Sequence, residues 1–174
     1  MLKTAALSED SVRKKILTAF KDQGVGENQL LLLGSDSLQS EHLQRYSMVD
    51  LALDTFPYNG TTTTCESLWM GVPVVTLEGE GHVSRVGVSQ MNNLGLAELV
   101  AASEDEYVDI AAKLAAELDL LSQIRMSLRE RMAASPLMNA PRFTRYLEAA
   151  YRKMWIDWCR NTSSQRQAEQ VTKT

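Results

Sequence analysis

Short apolar runs alternate with amphipathic helical stretches through the first hundred residues of this chain, and few folds accommodate that pattern. Residues 29–33, closed by Gly34, read as a strand buried on both faces, and residues 49–54 and 73–77 as two more. Between them, helices are expected from Ser8-Glu9-Asp10 to Gly24, over about 40–48, over 62–70 up to Gly71, and over about 84–94. A short apolar stretch follows around Leu99 and Val100. Because strand–helix–strand crossovers are right-handed, this order specifies an α/β fold: a Rossmann-like parallel sheet with helices on both faces. The opening residues, Met1 to Thr4, resemble the end of a strand, so the first strand is expected to be incomplete.

Beyond residue 100 the pattern is helical. Ser103 with Glu106 forms a capping box, a second helix is expected over about 120–134, and a third over about 141–159 starting at Pro141. Phe143, Leu147, Tyr151, Met154 and Trp158 make one apolar stripe on that last helix. The expected division is a Rossmann-like core over 1–100, helices packing on it over 101–160, and a disordered polar tail over 161–174.

With 18 basic against 22 acidic residues the chain carries a net charge of −4 and has no dense basic block, which argues against nucleic acid as a partner. No stretch approaches the ~20 apolar residues of a membrane span, and two distant cysteines suggest neither a disulfide framework nor a zinc site. The expected setting is cytoplasmic. The dinucleotide, P-loop, zinc-protease and nucleophile-elbow fingerprints are all missing from the sequence.

In open α/β sheets ligands sit beyond the carboxyl ends of the strands. The loop after the 49–54 run reads Asp54-Thr55-Phe56-Pro57-Tyr58-Asn59-Gly60-Thr61-Thr62-Thr63-Thr64-Cys65-Glu66. Asn59-Gly60 permits a tight turn, and four threonines then open a helix whose first amides lack intrahelical acceptors, a natural place for phosphate. Glu66, one turn in, can accept from the two hydroxyls of a ribose. His42 can lie against a base or donate to a phosphate. Purely structural readings stand beside these: threonine is a common N-cap, Glu is favoured near a helix start by the dipole, and Asn-Gly is a frequent turn. Asp54 reads as a loop-holding carboxylate, Ser84 as a cap for the next helix, and Arg85 as a partner for a carboxylate or an anion.

The stretch from Val49 to Thr64, then Glu66-Ser67-Leu68-Trp69-Met70-Gly71-Val72-Pro73-Val74-Val75-Thr76 and Ser84-Arg85-Val86, resembles the C-terminal catalytic lobe of the O-GlcNAc transferases, of the peptide O-GlcNAc transferase and SPINDLY type. The likeness extends over about residues 2–159. It implies the second lobe of a GT-B fold in a truncated bacterial relative, with UDP-GlcNAc as donor and inverting, metal-independent transfer of the sugar to Ser or Thr hydroxyls of proteins. By position, the resemblance places Thr62 and Thr63 on the diphosphate, where they stabilise the leaving group, Glu66 on the ribose and His42 beside the uridine. Asn59, Gly60 and Thr61 complete the UDP-sugar set. It implies no cofactor beyond the donor substrate, no metal, and no catalytic residue within this stretch other than the leaving-group stabilisers Thr62 and Thr63. The acceptor protein, the first lobe and the tetratricopeptide repeats of the family lie elsewhere. Three positions depart from the animal enzymes, which carry aspartate at Glu66, histidine at Thr61 and lysine at Gln39. The last helix is expected to cross to the first lobe or to pair with a second copy as a homodimer. A non-catalytic nucleotide-binding or regulatory module is the alternative function.

Overall fold

The computed structural model describes the backbone of residues 1–171 and the side chains of residues 1–160. Two compact units divide it, residues 1–129 and 130–174.

Within the first unit the parallel α/β pattern expected from the sequence is present, with flanking helices, and it is distributed over two sheets. β1 (Leu2–Lys3) pairs in parallel with β2 (Leu32–Leu33), while β3 (Ala52–Leu53), β4 (Val74–Leu77) and β5 (Val100–Ala101) form a second parallel sheet in that order. The helices are α1 (Asp10–Asp22), α2 (Gln39–Gln44), α3 (Thr62–Trp69), α4 (Val86–Leu94), α5 (Glu104–Ala116) and α6 (Leu118–Ala134). α6 runs across the boundary between the units.

The strands are shorter than their apolar runs, and two expectations change. Residues 27–29 form a 3-10 turn rather than the start of β2, and Leu31 is 40% exposed while Leu32 is buried, so this strand is not covered on both faces. α2 stops at Gln44 and the chain continues as a 3-10 turn to Met48.

β4 is the centre of the unit because its residues are the most continuously apolar. Val74, Val75 and Thr76 are buried, and α3, α4 and α5 all pack against this strand. Val75, Ala101 and Tyr107 form a cluster with Leu51, Leu77, Ile110 and Ala111 packed around it. Leu68 of α3 and Val72 after it are fully buried. The turn between α3 and β4 is set by Gly71 at φ +80°, a conformation other residues adopt at a cost. Its amide bonds to Leu68 and that of Val72 to Ser67, closing the last helical turn. Ser67 Oγ then donates to the Val72 carbonyl at 3.0 Å. Together these contacts fix where α3 begins relative to the strand ends.

α5 starts as its sequence suggests. Ser103 Oγ accepts the Glu106 amide at 3.2 Å, and three acidic residues occupy the first turn. The Glu106 carboxylate reaches one residue further back than a standard capping box, to the Ala102 amide at 2.7 Å.

The second unit contains a 3-10 turn at Pro136–Met138 and α7 (Ala140–Val171). Phe143, Leu147, Tyr151, Met154 and Trp158 are 39–65% exposed on α7, and the Trp155 and Trp158 rings stack at 5.2 Å. The backbone of α7 continues past Asn161 into the stretch expected to be a tail; the side chains from 161 on and residues 172–174 lie outside those described. Among the described residues no helix is long and apolar enough to cross a membrane.

Candidate functional site

The loop from β3 to α3 is held by one carboxylate. Asp54, at the carboxyl end of β3 and 7% exposed, accepts the Gly60 amide on Oδ1 at 2.7 Å and the Thr76 hydroxyl on Oδ2 at 2.9 Å. Its main-chain carbonyl accepts the Tyr107 hydroxyl at 2.7 Å. Burial pushes the Asp54 carboxyl up, and the bonds from Gly60, Thr76 and Thr55 pull it back only in part. Burial, with the Asp54 charge behind it, also pushes the Tyr107 phenol up to about 12, so it remains a donor.

Inside the loop, Asn59 is fully buried and both ends of its amide are engaged. Nδ2 donates to the Thr55 carbonyl at 3.0 Å, and Oδ1 accepts the Gly87 amide at 3.3 Å from the first turn of α4. Asn59 therefore shapes the loop from within. Gly60 has no room for a side chain: a Cβ there would lie 2.9 Å from Thr63 Oγ1 and 3.3 Å from Asp54 Oδ1, and would also press on Thr64 Oγ1.

α3 opens at this point. Thr61 makes no side-chain cap, and its carbonyl accepts the Cys65 amide at 3.1 Å and Gln90 Nε2 at 2.9 Å. Thr61, Thr62 and Thr63 are exposed, while Thr64 is buried. Amides of a first helical turn have no intrahelical acceptor, so a capless, exposed start presents donors and partial positive charge outward. Gln90, buried on α4, was not singled out from the sequence; its role rests on a contact 29 residues away.

His42 and Glu66 meet. His42 Nε2 lies 2.9 Å from Glu66 Oε2, and its ring stands edge-on to Tyr46 at 5.5 Å. On the other side of the ring, Nδ1 bonds to Lys3 Nζ. An ammonium only donates, so Nδ1 is the acceptor and Nε2–H donates to Glu66. Lys3 also pairs with Asp36 at 2.7 Å, and Asp36 with Arg45 at 3.2 Å. The Lys3 ammonium, assisted by Arg45, holds the Asp36 carboxyl below its ordinary range despite the opposing effect of burial. Tyr46, its phenol pushed up to about 12 by burial and by the Glu66 charge, donates to the Thr63 carbonyl at 3.2 Å. A relay from Asp36 through Lys3 and His42 to Glu66 thus orients that carboxylate one turn above the open end of α3. Lys3, Asp36 and Arg45 went unnoticed in the sequence because 39 residues separate Lys3 from His42.

A cleft of about 600 Å³ brings His42, Gly60 and Thr63 together with Lys3, Tyr46 and Asp54. Asn59, Thr61, Thr62 and Glu66 do not line it; Thr61 and Thr62 sit at the exposed helix start, and Glu66 joins through His42. Arg85 is engaged locally, with Glu78 at 2.5 Å and the Gly79 carbonyl at 3.1 Å. Ser84 does not cap α4: it is buried and donates to the Gly81 carbonyl at 3.0 Å. Among the described residues no three His, Cys, Asp or Glu side chains gather as a metal site would require.

The sequence profile of glycosyl transferase family 41 matches residues 2–147. The chain is 47% identical over 165 residues to a probable UDP-N-acetylglucosamine–peptide N-acetylglucosaminyltransferase SPINDLY of Arabidopsis thaliana, covering 94% of this chain and 18% of that protein. It is 34% identical over 125 residues to a UDP-N-acetylglucosamine–peptide N-acetylglucosaminyltransferase of Caenorhabditis elegans, covering 72% of this chain and 11% of that one. A solved mutant of Thermobaculum terrenum O-GlcNAc transferase superposes with a TM-score of 0.85 at 38% identity, over 92% of this chain and 31% of that chain. The chain thus spans less than a fifth of the length of these curated relatives. With a parallel α/β core, a capless helix start over a cleft and a profile match across most of its length, the chain belongs to glycosyl transferase family 41.

Proposed function

We propose that this chain forms the donor half of an inverting, metal-independent glycosyltransferase that moves GlcNAc, or a related hexose, from UDP to Ser or Thr hydroxyls of proteins. The observation that carries this reading is the exposed, capless start of α3 beside a carboxylate already oriented by His42. Thr62 and Thr63, with the first-turn amides, hold the diphosphate; Gly60 lets the chain approach it closely, with Asn59 and Thr61 setting the turn. Glu66 accepts from the ribose hydroxyls, and His42 both fixes Glu66 and borders the base.

In such a displacement the acceptor oxygen bonds to the anomeric carbon as the bond to the diphosphate breaks, and negative charge moves onto the departing diphosphate. Donors oriented in advance at that position lower the barrier, and removing one typically costs about 3 kcal/mol. The same donors bind the free nucleotide, so the test is calorimetric. UDP and UDP-GlcNAc are expected to bind the purified chain, and Glu66→Gln to weaken both about tenfold, the loss of one charge-assisted bond. No heat from either nucleotide would overturn the proposal.

A further inference from the structure

Lys3 sits where β1, the loop after β2 and α2 come together. β1 and β2 pair in parallel with Lys3 opposite Leu33, so the chain leaving β2 carries Asp36 to the end of β1, and α2 follows with His42. The Lys3 and Asp36 side chains are 17% and 8% exposed and lie 2.7 Å apart, too sheltered for water alone to satisfy the ammonium. Its other partner is His42 Nδ1, on a ring whose Nε2 lies 2.9 Å from Glu66 Oε2. An ammonium only donates and a carboxylate only accepts, so both neighbours select one state of the imidazole: a bare Nδ1 and a proton on Nε2. With the proton on Nδ1 instead, an N–H would face the ammonium and two acceptors would face each other at Glu66. Tyr46 has no part in this choice, because its ring meets His42 edge-on at 5.5 Å and its hydroxyl donates to the Thr63 carbonyl.

We infer that Lys3 is a positioning residue of the donor site: it fixes the His42 proton on Nε2 and so holds Glu66 Oε2, leaving Oε1 as the oxygen presented to the ribose hydroxyls. This rests on the reading of Glu66 as the ribose acceptor. Asp36, gripped also by Arg45 at 3.2 Å, anchors the ammonium against His42 and keeps it from swinging toward the diphosphate. Lys3 therefore acts on the nucleotide only through His42 and Glu66. Its removal weakens ligands that carry the ribose hydroxyls and spares those that lack them.

The test joins NMR of the histidine ring nitrogens to calorimetry on the full chain labelled with nitrogen-15 histidine. Of its two histidines, the exposed His82 serves as the internal reference. Lys3→Met keeps the apolar stem and removes the donor, while Lys3→Arg restores a donor that is always charged. In the parent and in Lys3→Arg, His42 Nδ1 is expected to resonate as an unprotonated ring nitrogen; in Lys3→Met it is expected to move toward the protonated position. UDP is expected to bind Lys3→Met between about twofold and tenfold more weakly than the parent, and Lys3→Arg within about twofold of it. That loss should vanish in the Glu66→Gln background, and also for dideoxyuridine diphosphate, which lacks both ribose hydroxyls. If Lys3→Met shows no cooperative unfolding transition, its combination with Asp36→Asn, which leaves no sheltered charge unpaired, carries the same comparison. An unmoved Nδ1 signal or an unchanged UDP affinity overturns the assignment. So does a loss that persists beside Glu66→Gln, which would make Lys3 a direct contact of the nucleotide. A parent that binds no UDP overturns the donor site itself, whereas an unaffected Lys3→Met beside a binding parent overturns the role of Lys3 alone.

Discussion

Asp54 and Gly60 show how much of the site rests on single atoms. The Asp54 carboxyl is raised above its ordinary 3.8, so the folded protein holds this proton more tightly than the unfolded chain does. Its contribution to stability therefore falls as pH rises from about 3.8 through the folded value and is constant above it. Asp54→Asn is expected to remove that fall, visible as a flatter dependence of unfolding temperature on pH for the variant than for the parent across that window. At Gly60 a methyl group would displace Thr63 and Thr64, the residues that open α3. Gly60→Ala should lower stability by about 1–3 kcal/mol in urea denaturation and reduce UDP affinity in parallel. Both residues were singled out in the loop sequence, because a carboxylate at a strand end and an Asn-Gly turn are local signals. The Lys3–His42–Glu66 relay was not, since nothing local in Lys3 indicates that β1 ends beside α2.

At the level of the elements, helix starts and stops were more legible than strand lengths. Ser103 and Gly71 act through bonds to residues within a few positions, and their signals are correspondingly readable. Strand extent depends on a partner's register, which is why the 49–54 run contracts to two paired residues and the 29–33 run begins in a 3-10 turn. Ser103→Ala should cost about 1 kcal/mol in denaturant unfolding. Leu68→Ala, which empties a fully buried position where α3 meets β4, should cost about 2–5 kcal/mol in the same measurement. Two equal losses would mean that α3 is not seated as the structure shows.

For the molecule as a whole, the donor site and the transfer reaction separate. The chain spans 18% of its Arabidopsis relative, so nucleotide binding and sugar transfer are predicted, and tested, apart. The purified chain is expected to bind UDP with an affinity that EDTA does not alter, and to transfer no sugar to a peptide; glycosylated peptide in a mass-spectrometric assay would contradict this. By itself the sequence determined the parallel α/β class, the helix that carries the threonines and the loop that introduces it, because periodicity, glycine turns and capping act over a few residues. Only the tertiary structure decided that Asn59 points inward, that Glu66 is held by His42, and that the parallel strands divide into two sheets. Those outcomes depend on which distant edges and side chains meet, and that is settled by packing across the whole unit rather than by any local run of residues.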